Sequence, residues 1–161
     1  MRVEYINPFV ESAYNVLKEV MAGTEVKRGV LGLKATSTPI KGVAALVGLA
    51  GDVEGRVLFD MSKETALFVV STMNQEVFEK MDEMAKATIQ ELANMITAHA
   101  ITKLHRLGFK FDITPPAVFT GENMEISSNS NEKLEALYVP MELENGHLID
   151  VNVVIRERMN K

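Results

Sequence analysis

Ala87-Thr88-Ile89-Gln90-Glu91-Leu92-Ala93-Asn94-Met95-Ile96 is the stretch on which the reading of this chain turns. At about 100° per residue, Ile89, Leu92, Ala93, Ile96, Ala100 and Leu104 fall on one arc about 120° wide. That pattern predicts an amphipathic helix with this arc on the core. Asp82 and Glu83 suit its positive N-terminal end and Gly108 suits a C-terminal cap, so the helix runs to about Leu107. Glu91 and Asn94 are three apart and therefore neighbours on the opposite, solvent face. Ala87 precedes the pair on the same row and Ala98 follows it. Side chains that small let the backbone of another protein come close.

Upstream, Asn7-Pro8 reads as a helix start, with Asn as cap and Pro at the first helical position. Phe9, Val10, Ala13, Leu17, Val20 and Met21 recur at helical spacing until Gly23. Residues 26–36 read as a strand, with a bulge or bend at Gly29 and Gly32. Residues 43–50 and 55–61 read as a hairpin turning at Gly51-Asp52. Ser62 then caps a short helix over 65–73. Downstream, Ile113 to Pro116 breaks regular structure. Strands are expected over about 117–128, 134–143 and 147–156, with a polar loop at 127–133 and a hairpin at Asn145-Gly146. The fold class is α/β or α+β: one domain over 1–161, with a largely antiparallel sheet carrying helices on one face and water on the other. The last two strands form a hairpin expected at a sheet edge, and edges are often managed by pairing with a second subunit, so a homodimer is expected.

The totals exclude several classes. At 161 residues, 47% hydrophobic and 24% charged, the chain has an ordinary globular composition. A formal net charge of −5 argues against nucleic acid as a partner, because neutralising phosphates takes a dense basic face. There is no cysteine, hence no disulfide, thiolate metal site or cysteine nucleophile. No apolar run suits a secretory signal or a membrane span, so no membrane partner and a cytoplasmic location are expected. There is no phosphate-binding glycine loop, no dinucleotide fingerprint and no nucleophile elbow. His99, His105 and His147 lack metal-ligand spacing and read as surface or rim histidines, and Asp52 reads as turn chemistry. No metal is expected on this chain.

For Glu91 and Asn94 two readings stand on chemistry alone. They form an exposed functional pair, or they are polar residues on a solvated face that needs no function. Spacing does not choose between them. Glu-x-x-Asn occurs four times, also at Glu4/Asn7, Glu142/Asn145 and Glu157/Asn160. The first of these straddles the expected helix cap, the second runs into the hairpin and the third lies in the tail.

The stretch Gln90 to Met95, then Leu107-Gly108, then Phe111-Asp112-Ile113-Thr114-Pro115-Pro116 resembles the CheX branch of the CheC/CheX/FliY phosphatases. That family carries Glu and Asn three apart on a helix and a proline roughly twenty residues later. Gly48 to Gly55 is similar to the family's strand-turn-strand, and Asn7 to Glu11 to its opening. The resemblance covers most of the chain and weakens after Asn123. It implies a CheC-like fold and a phosphatase acting on the aspartyl phosphate of a CheY-like chemotaxis response regulator. Asn94 would position the attacking water and Glu91 would pair with the regulator's active-site lysine. Ala87, Ala98, Pro115 and Pro116 would contact the partner, and Mg²⁺ would sit on the regulator. A receiver-binding adaptor without turnover and a flagellar-switch-like structural domain are the alternatives. Ala87 departs from the family's Asp or Ser four residues before the Glu, and Thr88 points elsewhere on the helix. CheC-type members repeat the motif on their first helix. Here that helix offers Glu11 and Asn15, four apart, with Tyr14 where the Asn would be, which implies one site per chain.

Overall fold

The computed structural model describes residues 3–35, 38–126 and 135–157. The first helix, α1, covers Val3–Val20. After it come β1 (Lys27–Arg28), β2 (Gly32–Ala35), β3 (Thr38–Pro39), β4 (Gly42–Gly51) and β5 (Val53–Ser62). Then follow α2 (Lys63–Asn74), α3 (Glu83–Arg106), β6 (Phe111–Ile113), β7 (Ala117–Thr120), β8 (Glu125–Ile126), β9 (Glu135–Glu142) and β10 (Leu148–Glu157). The polar loop expected at 127–133 lies outside the described residues, as does Asn160.

The sheet is antiparallel at every described pairing and runs β9-β10-β5-β4 through its centre. On one side β9 is bordered by β1 and β2, and on the other β4 is bordered by β6 and β7. Alternation decides the faces. Val43, Ala45, Val57, Phe59, Val139, Met141, Val151 and Val153 share one core with the buried sides of α1, α2 and α3. The helices therefore cover one face, as expected. The opposite face is not simply open to water. Ala44 and Leu58 are buried there with Ile40, packed by Met124 and Ile126 where β3 pairs β8.

Several expectations need correcting, among them the single strand over about 117–128, which is divided into β7 on β4 and β8 on β3. First, α1 begins at Val3, so Pro8 lies inside it rather than at its start. A proline there removes one donor, the one that would bond to the carbonyl of Glu4 in the first turn of the helix. In return the added turn buries Tyr5 and Ile6 almost completely. Glu4 and Asn7 consequently sit on the helix together and do not straddle its cap. Second, residues 26–36 form two short strands, β1 and β2, on the same neighbour β9. Gly29 between them leaves no room for a Cβ, which would stand 2.6 Å from Pro140 Cγ. Third, β9 and β10 form a hairpin, but not at an edge. β10 is central, and β9 is flanked by β1 and β2, which form the true edge.

The helix ends follow the sequence. Ser62 Oγ accepts from Thr65 N at 3.1 Å, starting α2. Asp82 Oδ1 accepts from Ala85 N at 2.9 Å, starting α3. Gly108, at φ 96°, follows the last turn of α3 in the left-handed region. The β9–β10 turn also takes the left-handed region, at both Asn145 and Gly146, as an Asn-Gly turn requires.

Candidate functional site

The core arc of α3 is buried as its spacing requires: Ile89, Leu92, Ala93, Ile96, Ala100 and Leu104, together with Ala85 and Thr97. Burial of this side fixes the rotation of the helix. Ala87, Glu91, Asn94 and Ala98 are then all exposed in one row. Neither Glu91 nor Asn94 makes a hydrogen bond or ion pair among the described residues. Their backbone is held by two dozen residues of helix, so the two head groups stand free on a rigid support.

Pro115 and Pro116 come to the same helix by a separate route. Along one side of β4, Leu49 faces Ile113 of β6 and Leu46 faces Ala117 of β7. The two prolines fall in the gap, since neither has an N–H to give a ladder. Thr114 closes the gap's upper end: its N–H donates to Gly48 O at 2.9 Å, and its Oγ1 accepts from Gly48 N at 2.8 Å. The segment then leans on α3, where Gln90 Nε2 donates to Pro116 O at 2.9 Å. Gln90 and Asn94 are one turn apart, so the prolines flank the Asn94 side of the row. Pro115 is exposed and Pro116 half-buried.

Gln90 was not picked out by sequence reasoning. Sequence carries no signal for this bond, which spans 26 positions and forms only where β6 and β7 close on β4. The structure also accounts for Thr88. Its Oγ1 donates to Met84 O and accepts from Asn74 Nδ2 at 2.9 Å, so it fastens the end of α2 and is unavailable to the row.

Of the remaining candidates, Asp52, His105 and His147 have structural partners. Asp52 Oδ2 accepts from Lys110 N at 3.1 Å, joining the β4–β5 turn to the start of β6, a contact across 58 positions rather than the local turn chemistry expected of it. His147 stacks on Phe68 and lies 2.9 Å from Thr65 Oγ1, and His105 sits edge-on to Phe111. His99 is exposed. No group of three or more His, Cys, Asp or Glu placed to hold a metal occurs among the described residues. No helix among them is long and apolar enough to cross a membrane.

A carboxylate and a carboxamide on a convex helix enclose nothing. They can serve chemistry only by entering a pocket that another molecule provides. A carboxamide oxygen can accept a hydrogen bond from water, and it is neutral, so it does not repel an anionic group. A carboxylate can pair with a cation.

Comparison with known proteins puts this row in context. The family model for chemotaxis phosphatase CheX matches residues 43–140, more than half of the chain. CheY-P phosphatase CheX of Thermotoga maritima is 33% identical over 129 residues, covering 80% of this chain and 83% of that protein. A chain of the CheX–CheY–BeF3–Mg²⁺ complex from Borrelia burgdorferi is 45% identical. It superposes with a TM-score of 0.82 over 97% of this chain and 100% of its own length. A CheC-like superfamily protein from Shewanella is 29% identical with a TM-score of 0.83, over 97% of this chain and 99% of its own. On sequence and fold together, this chain belongs to the chemotaxis phosphatase CheX family.

Proposed function

We propose that this protein, as a single domain over residues 1–161, hydrolyses the aspartyl phosphate of a phosphorylated CheY-like response regulator in the cytoplasm. The observation that carries the reading is the row itself: Glu91 and Asn94, unpaired and exposed on a rigid helix between two alanines. Such a row fits into a partner's active site and is of little use outside one.

The substrate is an acyl phosphate held in the regulator's acidic pocket. Water attacks phosphorus in line, the bond from phosphorus to the aspartyl oxygen breaks, and the carboxylate leaves, giving inorganic phosphate and a free aspartate. Such a transfer depends on positioning and electrostatics more than on covalent help. Asn94 supplies positioning, since its carboxamide oxygen orients the water without carrying charge toward the phosphoryl oxygens. It is too weak a base to take the proton, which passes to phosphate or solvent. Glu91 pairs with the regulator's active-site lysine and fixes how deep the helix enters. A desolvated pair of this kind orients more than it stabilises. Ala87 and Ala98 let the partner's backbone approach, and Pro115 and Pro116 form a stiff contact beside Asn94. Mg²⁺ on the regulator neutralises phosphoryl charge, and this chain holds no cofactor of its own.

The protein acts as a homodimer joined at the β1–β2 edge. Val30 and Leu33 are strongly exposed there, at 86% and 61%. The other edge, β6–β7, adjoins the proline segment and must stay open to the regulator.

Incubation with a phosphorylated receiver domain, following inorganic phosphate over time, tests the reading. Accelerated release is expected. Tight binding without release would make the protein an adaptor.

A further inference from the structure

We propose that Gln90 is a positioning residue for partner docking: by tying Pro116 to α3 one turn before Asn94, it fixes the proline segment beside the row on which the regulator rests. The inference rests on the site reading above and adds to it the residue that sets the shape of the docking surface.

Three observations carry it. The proline segment is anchored firmly at Thr114 by the two bonds with Gly48. Beyond that anchor, Pro115 and Pro116 have no N–H to give, and the ladder with β4 resumes only at Ala117. The 2.9 Å bond from Gln90 Nε2 ties the segment to α3 between those two points. Gln90 itself is exposed, so its side chain is not held in place by burial. Without its donor, the segment keeps its two ends and loses its fixed distance from the helix. A docking surface that must then be ordered on binding costs affinity. Chemistry at Asn94, on a rigid helix, is unaffected.

The expected result is a split between binding and turnover. Gln90→Met keeps length and helix propensity while removing the donor, and Gln90→Ala is the second variant. Binding of a receiver domain activated with beryllofluoride and Mg²⁺ should weaken about fivefold in both, the scale of one neutral hydrogen bond. Turnover at saturating phosphorylated receiver should stay within about twofold. A general loss of structure would instead lower turnover. In a Pro115→Ala background, Gln90→Met should cost less than about twofold, because the contact it positions is already gone. Unchanged affinity in both Gln90 variants overturns the proposal, as does an equal loss with and without Pro115. Asn94→Ala, measured alongside, keeps the two claims apart. Full turnover in that variant sinks the catalytic reading, whereas the Gln90 result is read from binding.

Discussion

Lys103 Nζ on α3 lies 3.1 Å from Glu11 Oε2 on α1. The carboxylate that a second, α1-borne copy of the site would need is therefore tied to the neighbouring helix. Tyr14, where the matching Asn would stand, has the Lys18 ammonium over its ring at 5.3 Å. Glu11→Ala should leave turnover of a phosphorylated regulator unchanged. Stability should fall by less than about 1 kcal/mol, since the pair is partly exposed and screened. A phosphate-release assay and a thermal melt decide it. A marked loss of rate would point to a second site on α1.

The pair on α3 should behave differently. Asn94→Ala is expected to slow catalysed release by about 10² or more, the scale of a lost water-positioning group. It should bind the phosphorylated regulator nearly as before, because the amide acts chiefly in the transition state. Glu91→Ala should weaken both binding and rate. Both sites face solvent and alanine favours helix, so stability should stay within about 0.5 kcal/mol.

Chance copies of the motif supply the controls. Glu142→Ala changes a residue at the end of β9, whose partner Asn145 lies in a turn. Glu4→Ala is the stricter control, because Glu4 and Asn7 share a helix as Glu91 and Asn94 do. Neither should alter phosphate release. A Glu4 effect as large as that of Glu91 would mean that helical spacing alone is enough and that the proline segment is irrelevant.

Removing the metal should stop the reaction even though this chain is assigned none. EDTA is expected to suppress catalysed release from a phosphorylated regulator, and excess Mg²⁺ to restore it. Release that continues at full rate in EDTA would contradict a mechanism in which the regulator's own metal balances the phosphoryl charge.

Assembly has a mutational test as well. Light scattering at micromolar protein should report a dimer. A charge placed on the edge, as in Val30→Lys or Leu33→Glu, should shift it toward monomer, since like-charged edges repel and resist pairing. A monomeric parent protein would overturn the edge-pairing proposal.

Local chemistry was legible wherever it acts over a few residues. The caps at Ser62 and Asp82, the glycine after α3, the Asn145-Gly146 turn and the buried arc from Ile89 to Leu104 all depend on near neighbours, and periodicity and cap preference expose them directly. The same arc, once buried, placed Ala87, Glu91, Asn94 and Ala98 on the solvent row. Sequence therefore determined the helix, its rotation and the pair it displays. Tertiary structure decided what lies beyond the reach of local rules. Pro8 is carried inside α1 because burial of Tyr5 and Ile6 outweighs one lost hydrogen bond. β10 is central because β5 and β9 both pair with it, a matter of partners distant in the chain. The proline segment meets α3 through Gln90 across 26 positions of sequence, a contact that no periodicity encodes, because only the closing of β6 and β7 onto β4 brings the two together.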